Sequence, residues 1–283
     1  MKTLTKFAAA ASLAVACAAP AQAAMVLNDW YFNPAGTGFA GAQQVNEYLD
    51  INGNAFIQLA PTGPNTFSFQ EFGVFNSVQA DSNGQLFPLN YGQNITAVFN
   101  ASGTGVFGGA FSFSSGSFSV YADPNNNYGT ASPTSIYGAN DGTKIAEFEV
   151  FGGGGLVDAS GLPIANGQIT LFARLVDGSM ASGYFFDPSG NDISLGTVLA
   201  FAFTNANTVG SPSAVMVSEI ICEGAGFAGP GCDGMNPYAN NAPQYFFVSN
   251  NGQFKLAIPE PGSLALLGVA MLGLGLARRR RAA

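Results

Sequence analysis

Apolar and polar residues alternate along much of the chain. Four segments show the alternation clearly: 66–69, 110–113, 117–121 and 146–150. A period of two places successive side chains on opposite faces and predicts half-buried strands. Three denser apolar runs predict strands that are buried on both faces: 169–176, 198–203 and 215–222.

Turn signals separate these segments. Asn-Gly, Asp-Gly and Ser-Gly pairs predict tight turns at 52–53, 83–84, 141–142, 177–178, 189–190 and 251–252. The last pair is predicted to join 245–249 with 253–258 in a hairpin. The one helical pattern, at 43–49, is short and weak. About a dozen strands in a single domain predict an all-β fold, an antiparallel β-sandwich with jelly-roll-like connections.

The N-terminus has the order of a secretory signal peptide. Two lysines precede an apolar run at 7–19, and Pro20 is followed by Ala21, Gln22 and Ala23. Charged, apolar and cleavable parts in this order predict export and an N-terminal signal helix, with signal peptidase cutting after Ala23. The alternative is a buried N-terminal helix, which Pro20 would end.

The C-terminus also has three distinct parts. Pro259, Glu260 and Pro261 come first, an apolar run at 264–277 follows, and four arginines close it: Arg278, Arg279, Arg280 and Arg281. As a helix the 14-residue run reaches about 21 Å, short of a ~30 Å hydrocarbon core. This short transmembrane helix therefore suits transient insertion in the inner membrane. Because arginines stay cytoplasmic, the chain before the run is predicted to lie outside that membrane.

This tail resembles the PEP-CTERM sorting signal in its proline-glutamate-proline triplet, its short apolar helix and its terminal arginine cluster. The resemblance implies that an exosortase recognises Pro259, Glu260 and Pro261 and removes the tail. It also implies a Gram-negative bacterium and a destination at the cell surface or in the extracellular biofilm matrix. We therefore expect a signal peptide at 1–23, a β-sandwich domain at 24–258 and a sorting signal at 259–283.

Composition excludes several functions. Charged residues make up only 9% of the 283 residues, against ~25% in typical domains, and histidine is absent. Without histidine, a Ser-His-Asp triad, a Cys-His pair and the His-containing zinc sites are excluded. Residues 24–258 hold three basic and 16 acidic side chains, a net charge of −13. That charge disfavours nucleic acid as a partner and favours cations. No cofactor is predicted, and Ca²⁺ is the candidate ion, bridging the chain to anionic polymer.

Two cysteines remain after export, Cys222 and Cys232. An even number in an exported chain predicts a disulfide. The alternative, a metal-binding pair, lacks further Cys or His ligands.

Carboxylates offer little catalytic signal. Glu147 and Glu149 share one face of a predicted strand, which is compatible with a glycosidase pair but more typical of a solvated sheet face. Segments 50–54 and 187–192 resemble fragments of calcium loops, but hairpin turns stabilised by Asp and Asn side chains are the favoured interpretation. We predict that the protein is not an enzyme and has no catalytic residues.

Trp30 and Tyr31 are the candidate glycan contacts, as an aromatic platform for a sugar ring, although core packing is the favoured role for the single tryptophan. The surrounding sequence resembles flocculation-associated PEP-CTERM proteins of floc-forming bacteria, at 28–34, 45–50, 56–59 and 66–75. This resemblance implies a non-catalytic protein that holds cells and exopolysaccharide together as flocs. The alternatives are a carbohydrate-binding module and, less favoured, a glycoside hydrolase or lyase.

Overall fold

The computed structural model describes residues 24–82, 85–88, 94–164 and 167–259. Residues 26–257 form one compact unit, and the described residues on either side of it, 24–25 and 258–259, belong to a second. The predicted signal peptide and its cleavage residues Ala21 and Ala23 lie outside the described residues. So do Glu260, Pro261, the apolar run and the four arginines. Pro259 is the last described residue.

Thirteen strands account for most of the described chain. Their bounds are β1 Ala24–Val26, β2 Trp30–Phe32, β3 Gln43–Val45, β4 Leu49–Pro61, β5 Thr66–Ser82, β6 Gln85–Pro88, β7 Asn94–Val106, β8 Ala110–Asp123, β9 Thr143–Leu156, β10 Gly167–Leu175, β11 Phe185–Phe186, β12 Leu199–Thr208 and β13 Tyr245–Pro259. A 3₁₀ turn spans Phe39–Gly41, and one helix begins at Ala214–Met216 and continues with π-helical geometry over Val217–Gly224. The all-β prediction is confirmed.

Eight long strands form a closed antiparallel barrel in the order β4, β5, β7, β8, β9, β10, β12 and β13. Closure comes from β13, which pairs with β12 on one side and β4 on the other: Phe254 lies opposite both Ala202 and Leu49. The predicted jelly-roll-like sandwich is therefore wrong. A sandwich and a barrel share the same alternation along each strand, and only the pairing of the first and last long strands separates them.

Two predicted turns lie inside strands instead. Asn52 and Gly53 belong to β4, and the 251–252 pair belongs to β13, so the predicted C-terminal hairpin is wrong. A Cβ at Gly53 would overlap the ring of Phe75, which occupies the barrel interior beside it. Glycine is therefore needed here to leave space for the phenylalanine ring. It does not adopt the positive φ of a turn, and the strand continues through it.

The apolar run at 215–222 is helical, not a buried strand. Ser213 caps the helix by accepting a hydrogen bond from the Met216 backbone N–H at 3.3 Å. Ile220 and Ile221 are fully buried against Phe56 and Phe247 on the outside of the barrel. A short apolar run fits a buried strand and a buried helix equally well, and the cap decides for the helix. The helical pattern at 43–49 is also wrong, because these residues enter β3 and β4.

The helix and the segment 125–142 cover one outer face of the barrel. Their shared core includes Phe72, Val74, Tyr137, Ile220 and Phe247. The predicted disulfide is confirmed: Cys222, near the end of the helix, is bonded to Cys232, with their Cα atoms 5.4 Å apart. Closing this short loop contributes about 2–3 kcal/mol in the chain-entropy model, and it ties the end of the helix to the loop that follows it.

A small sheet of β11, β2 and β3 packs at one end of the barrel. It carries a buried aromatic group of Trp30, Phe32 and Phe185, whose ring centroids lie 5.0–6.4 Å apart. Phe32 and Phe185 also line the cavity within the barrel, so the small sheet closes that end of it.

Candidate functional site

The outer surface of four neighbouring strands, β4, β13, β12 and β10, forms a groove of about 490 Å³. Cross-strand register explains its composition. One row across the sheet places Asp50, Gln253, Phe203 and Thr170 opposite one another in turn. The next outward row consists of amides: Asn52, Asn251, Asn205 and Gln168. Because alternate residues face outward, the four strands present one polar face.

Aromatic side chains border these amides. Phe203 and Tyr48 line the groove itself. The band continues along the outside of the barrel through Phe201, Phe172 and Phe151, with ring centroids 5.5 Å and 6.4 Å apart, and Phe151 is half exposed. An aromatic face beside amides that both donate and accept hydrogen bonds matches the two surfaces of a sugar, its C–H face and its hydroxyls.

Two charged groups also line the groove. Lys255 pairs with Glu47, and its ammonium nitrogen lies 5.6 Å from the ring centroids of both Tyr48 and Phe203. Burial raises the pKa of Asp50, and the hydrogen bond from Asn52 Nδ2 at 3.2 Å opposes that rise. The groove therefore offers one carboxyl group and one paired ammonium beside neutral amides.

The inside of the barrel is largely apolar: a few polar side chains line it, among them Ser77, Thr204 and Asn250, and Glu71 is the one charged residue that the described chain places there. A cavity of about 90 Å³ is lined by phenylalanine and aliphatic side chains from most of the strands, and Glu71 reaches it. Glu71 also lines a smaller cavity of about 30 Å³. The residue is partly buried, and it lines both cavities. Burial raises the pKa of Glu71 to about 7.

The candidate glycan contacts and the carboxylate pair predicted from the sequence lie neither in the outer groove nor in the cavity inside the barrel. Trp30 is fully buried, so it cannot stack on a sugar from solvent, and its predicted glycan contact is wrong; core packing is its role. Tyr31 is half-buried and its ring meets Phe39 at 5.0 Å. Glu147 and Glu149 point outward and pair with Lys144 and Arg174.

The two calcium-loop fragments have ordinary structural roles. Residues 50–54 lie within β4. In the second fragment, Asp187 accepts hydrogen bonds from the backbone N–H groups of Ser189 and Asn191 at 2.8 Å and 2.9 Å, which is the expected Asp-stabilised turn. Across the ranges that the structure describes, no group of three or more His, Cys, Asp or Glu side chains is arranged to hold a metal ion.

Sequence reasoning missed Glu71 and the groove amides. Glu71 was within reach, since a period of two from Phe67 and Phe69 places it on the same inward face. No local pattern in the sequence identifies the groove amides. They lie on separate strands, and β10, β12 and β13 become neighbours only through the order of strands in the sheet.

Comparison with known proteins concerns the C-terminal end. Residues 257–281 match the family model of the PEP-CTERM protein-sorting motif. The chain carries a PEP-CTERM sorting motif. The match confirms the expected family resemblance, and the motif implies exosortase-dependent export to the cell surface of a Gram-negative bacterium. Among the described residues, no helix has the length and apolar character needed to cross a membrane. No curated protein and no solved structure matches this PEP-CTERM protein.

Proposed function

We propose that this PEP-CTERM protein is a non-catalytic matrix protein that retains exopolysaccharide at the cell surface and thereby promotes flocculation. The observation that carries this proposal is the outer groove, where four strands align amides beside aromatic rings. The sorting motif supports it, since the motif directs the chain to the compartment where exopolysaccharide lies. A signal peptidase and an exosortase are the processing partners.

The closed barrel is compatible with removal of the tail. Strand β13 completes the barrel through the pairs that Tyr245 to Phe254 make with β4, and its pairs with β12 extend to Ala257. The predicted recognition triplet begins only at Pro259. Cleavage at or after the triplet would therefore leave every one of these pairs in the mature protein.

The lack of a catalytic role remains part of the proposal. Glu147 and Glu149 are two residues apart on β9, and each is paired with a basic side chain on the outer face. A glycosidase instead places two carboxyl groups on opposite sides of the scissile bond. The second candidate function is a carbohydrate-binding module without a role in flocs, which the same groove supports.

Glycan binding should depend on the groove amides. We expect the double variant Asn205→Ala/Gln253→Ala to bind native exopolysaccharide about ten-fold more weakly than the wild type, because two hydrogen bonds of about 0.5–1.5 kcal/mol each are lost. Equilibrium binding of the purified protein measures this. The matched control is Gln70→Ala/Asn100→Ala, which removes two exposed amides from the outer faces of β5 and β7. Equal weakening by both pairs would contradict the groove as the site.

Flocculation separates the two candidate functions. We expect an in-frame deletion strain to lose flocs, and expect complementation by the wild type or the Gln70→Ala/Asn100→Ala variant to restore them. The Asn205→Ala/Gln253→Ala variant should restore them poorly, with export confirmed by blotting of surface fractions. A deletion strain that flocculates normally would contradict the matrix role and leave the carbohydrate-binding module.

A further inference from the structure

Buried polar atoms without hydrogen-bond partners are concentrated in one part of the described chain. The described residues have six such side-chain nitrogen or oxygen atoms in all, and one of the six belongs to Asn250 in the barrel wall. The other five belong to residues at the end of β8, in the segment that follows it, or directly opposite: Asn94, Asp123, Asn127, Ser135 and Asp141. A cluster of unsatisfied buried groups in a folded protein calls for a ligand or bound water.

Strand pairing brings the backbones of Asp123 and Asp141 close together. Asp123 is the last residue of β8, and Asp141 lies two residues before β9 begins. Ala122 pairs with Thr143, so Asp123 lies beside Gly142, where an added Cβ would lie 2.8 Å from the Asp123 Cβ. Asn127 then joins the pair, because its Nδ2 donates a hydrogen bond of 2.7 Å to Asp141 Oδ2.

Three acceptor oxygens remain unpaired at this point. Asp123 Oδ1 accepts hydrogen bonds from the backbone and side chain of Asn125, but Asp123 Oδ2 has no donor. Asp141 Oδ1 and Asn127 Oδ1 likewise have none. Asp123 is only 1% exposed, so bulk water does not solvate its carboxylate. A buried carboxylate oxygen without a donor or a cation is costly.

No basic side chain neutralises these carboxylates within the described ranges. Lys144 pairs with Glu147, Arg174 with Glu149 and Lys255 with Glu47. The chain has no histidine. The described part of the chain therefore supplies no charge to balance Asp123 and Asp141, and a site with oxygen donors alone selects a hard cation.

We propose that Asp123, Asn127 and Asp141 bind a calcium ion. Calcium takes six to eight oxygen ligands in flexible geometry, so main-chain carbonyls and water would complete the three side chains. Asn94 lies opposite Asp123 on β7 and is buried. A half-turn of its amide would replace the unpaired Nδ2 with an oxygen that could serve as a further ligand.

The sequence pattern is consistent with this site. Asp123, Asn125 and Asn127 have the spacing of the first three ligands of a helix-loop-helix calcium loop. The sequence then departs from the calcium-loop pattern, because Tyr128 occupies the position of the loop's glycine and no glutamate occupies its last position. In this fold the second carboxylate comes instead from Asp141. The chain turns back before β9, and this turn brings Asp141 next to Asn127.

Calcium binding should stabilise the cover of the barrel. The test uses the exported protein purified from its host, stripped of divalent ions with a chelator and then titrated with Ca²⁺ or Mg²⁺. We expect one Ca²⁺ bound per chain by calorimetry. At a hundredfold excess over Kd we expect the thermal midpoint to rise by about 5 °C or more, with a smaller response to Mg²⁺.

Variants distinguish Ca²⁺ binding at this site from non-specific screening of the acidic surface by the ion. Asp123→Asn and Asp141→Asn should each weaken Ca²⁺ binding at least ten-fold. The control pair is Asp158→Asn and Asp233→Asn. Asp158 is exposed and Asp233 is partly exposed, both accept backbone hydrogen bonds in turns, and the pair should keep the full response. Lack of calorimetric binding by the wild type would overturn the proposal even if the site variants failed to fold. An equal midpoint shift in folded site variants and controls would also overturn it.

Discussion

Replacing Trp30 by alanine is expected to destabilise the protein by about 3–5 kcal/mol. The indole is fully buried, stacks on Phe185 at 6.3 Å and packs at 6.4 Å from Phe32. Its N–H makes a long hydrogen bond of 3.5 Å to the backbone oxygen of Glu47. Truncation would leave a cavity between the small sheet and the barrel, and the Glu47 carbonyl would lose a donor. Urea unfolding followed by circular dichroism measures the change, because the variant has no tryptophan to report fluorescence.

The matched control is Phe39→Ala in the same aromatic region. The Phe39 side chain is 44% exposed and contacts Tyr31 and Phe186 by ring edges, so its loss should cost clearly less than that of Trp30. Folded Trp30→Ala protein should bind exopolysaccharide as tightly as the wild type. A Trp30→Ala variant with unchanged stability but weaker glycan binding would restore the platform interpretation.

Trp30 illustrates how far sequence reasoning reached. Alternation predicted the strands at 66–69, 110–113, 117–121 and 146–150 and the all-β class, because a period of two is a property of each strand alone; it did not predict the short strand that holds Trp30. Core packing was the favoured role for Trp30, and the structure agrees. Exposure of an aromatic residue, however, depends on which element lies above it, and β11 is more than 150 residues away in sequence.

The barrel itself was beyond sequence reasoning. Its closure depends on pairing between β4 and β13, which are separated by most of the chain, and no local pattern encodes that register. The turn predicted at Asn52 and Gly53 was wrong for the same reason. The residue for which Gly53 leaves space, Phe75, belongs to another strand. By contrast, the Cys222–Cys232 disulfide and the sorting motif were predictable, because each rests on residue types and spacing within one short segment.

Glu71 supplies the second large effect, through pH. Its carboxyl group faces the barrel interior from β5, and among the described residues no ion pair or side-chain hydrogen bond to it is found. Burial is the cause that raises its pKa from 4.5 to about 7. Between those two pH values, the folded protein therefore holds a proton on Glu71 that the unfolded chain has released.

The sign of the effect follows from this difference. The contribution of Glu71 to stability is fully present below pH 4.5 and is lost as the pH rises through about 7. Above pH 7 the folded protein carries a buried charge, and the cumulative loss amounts to about 3 kcal/mol.

Glu71→Gln should remove that loss. Glutamine has nearly the same shape and stays neutral, so we expect the variant to match the wild type near pH 4.5 and to be more stable by about 3 kcal/mol at pH 8. Urea unfolding of both proteins at pH 4.5, 6 and 8 measures the difference, in which the titration of all other carboxylates cancels.

An exposed glutamate provides the control for this pH series. Glu149 is about half exposed and pairs with Arg174 on the outer face of the barrel. Glu149→Gln should change stability by less than about 1 kcal/mol at each pH, because solvent screens such pairs. If the advantage of Glu71→Gln were constant from pH 4.5 to 8, the buried carboxyl group would not be titrating in this range. A wild type that is more stable than Glu71→Gln at pH 8 would mean that the ionised carboxylate is paired within the barrel.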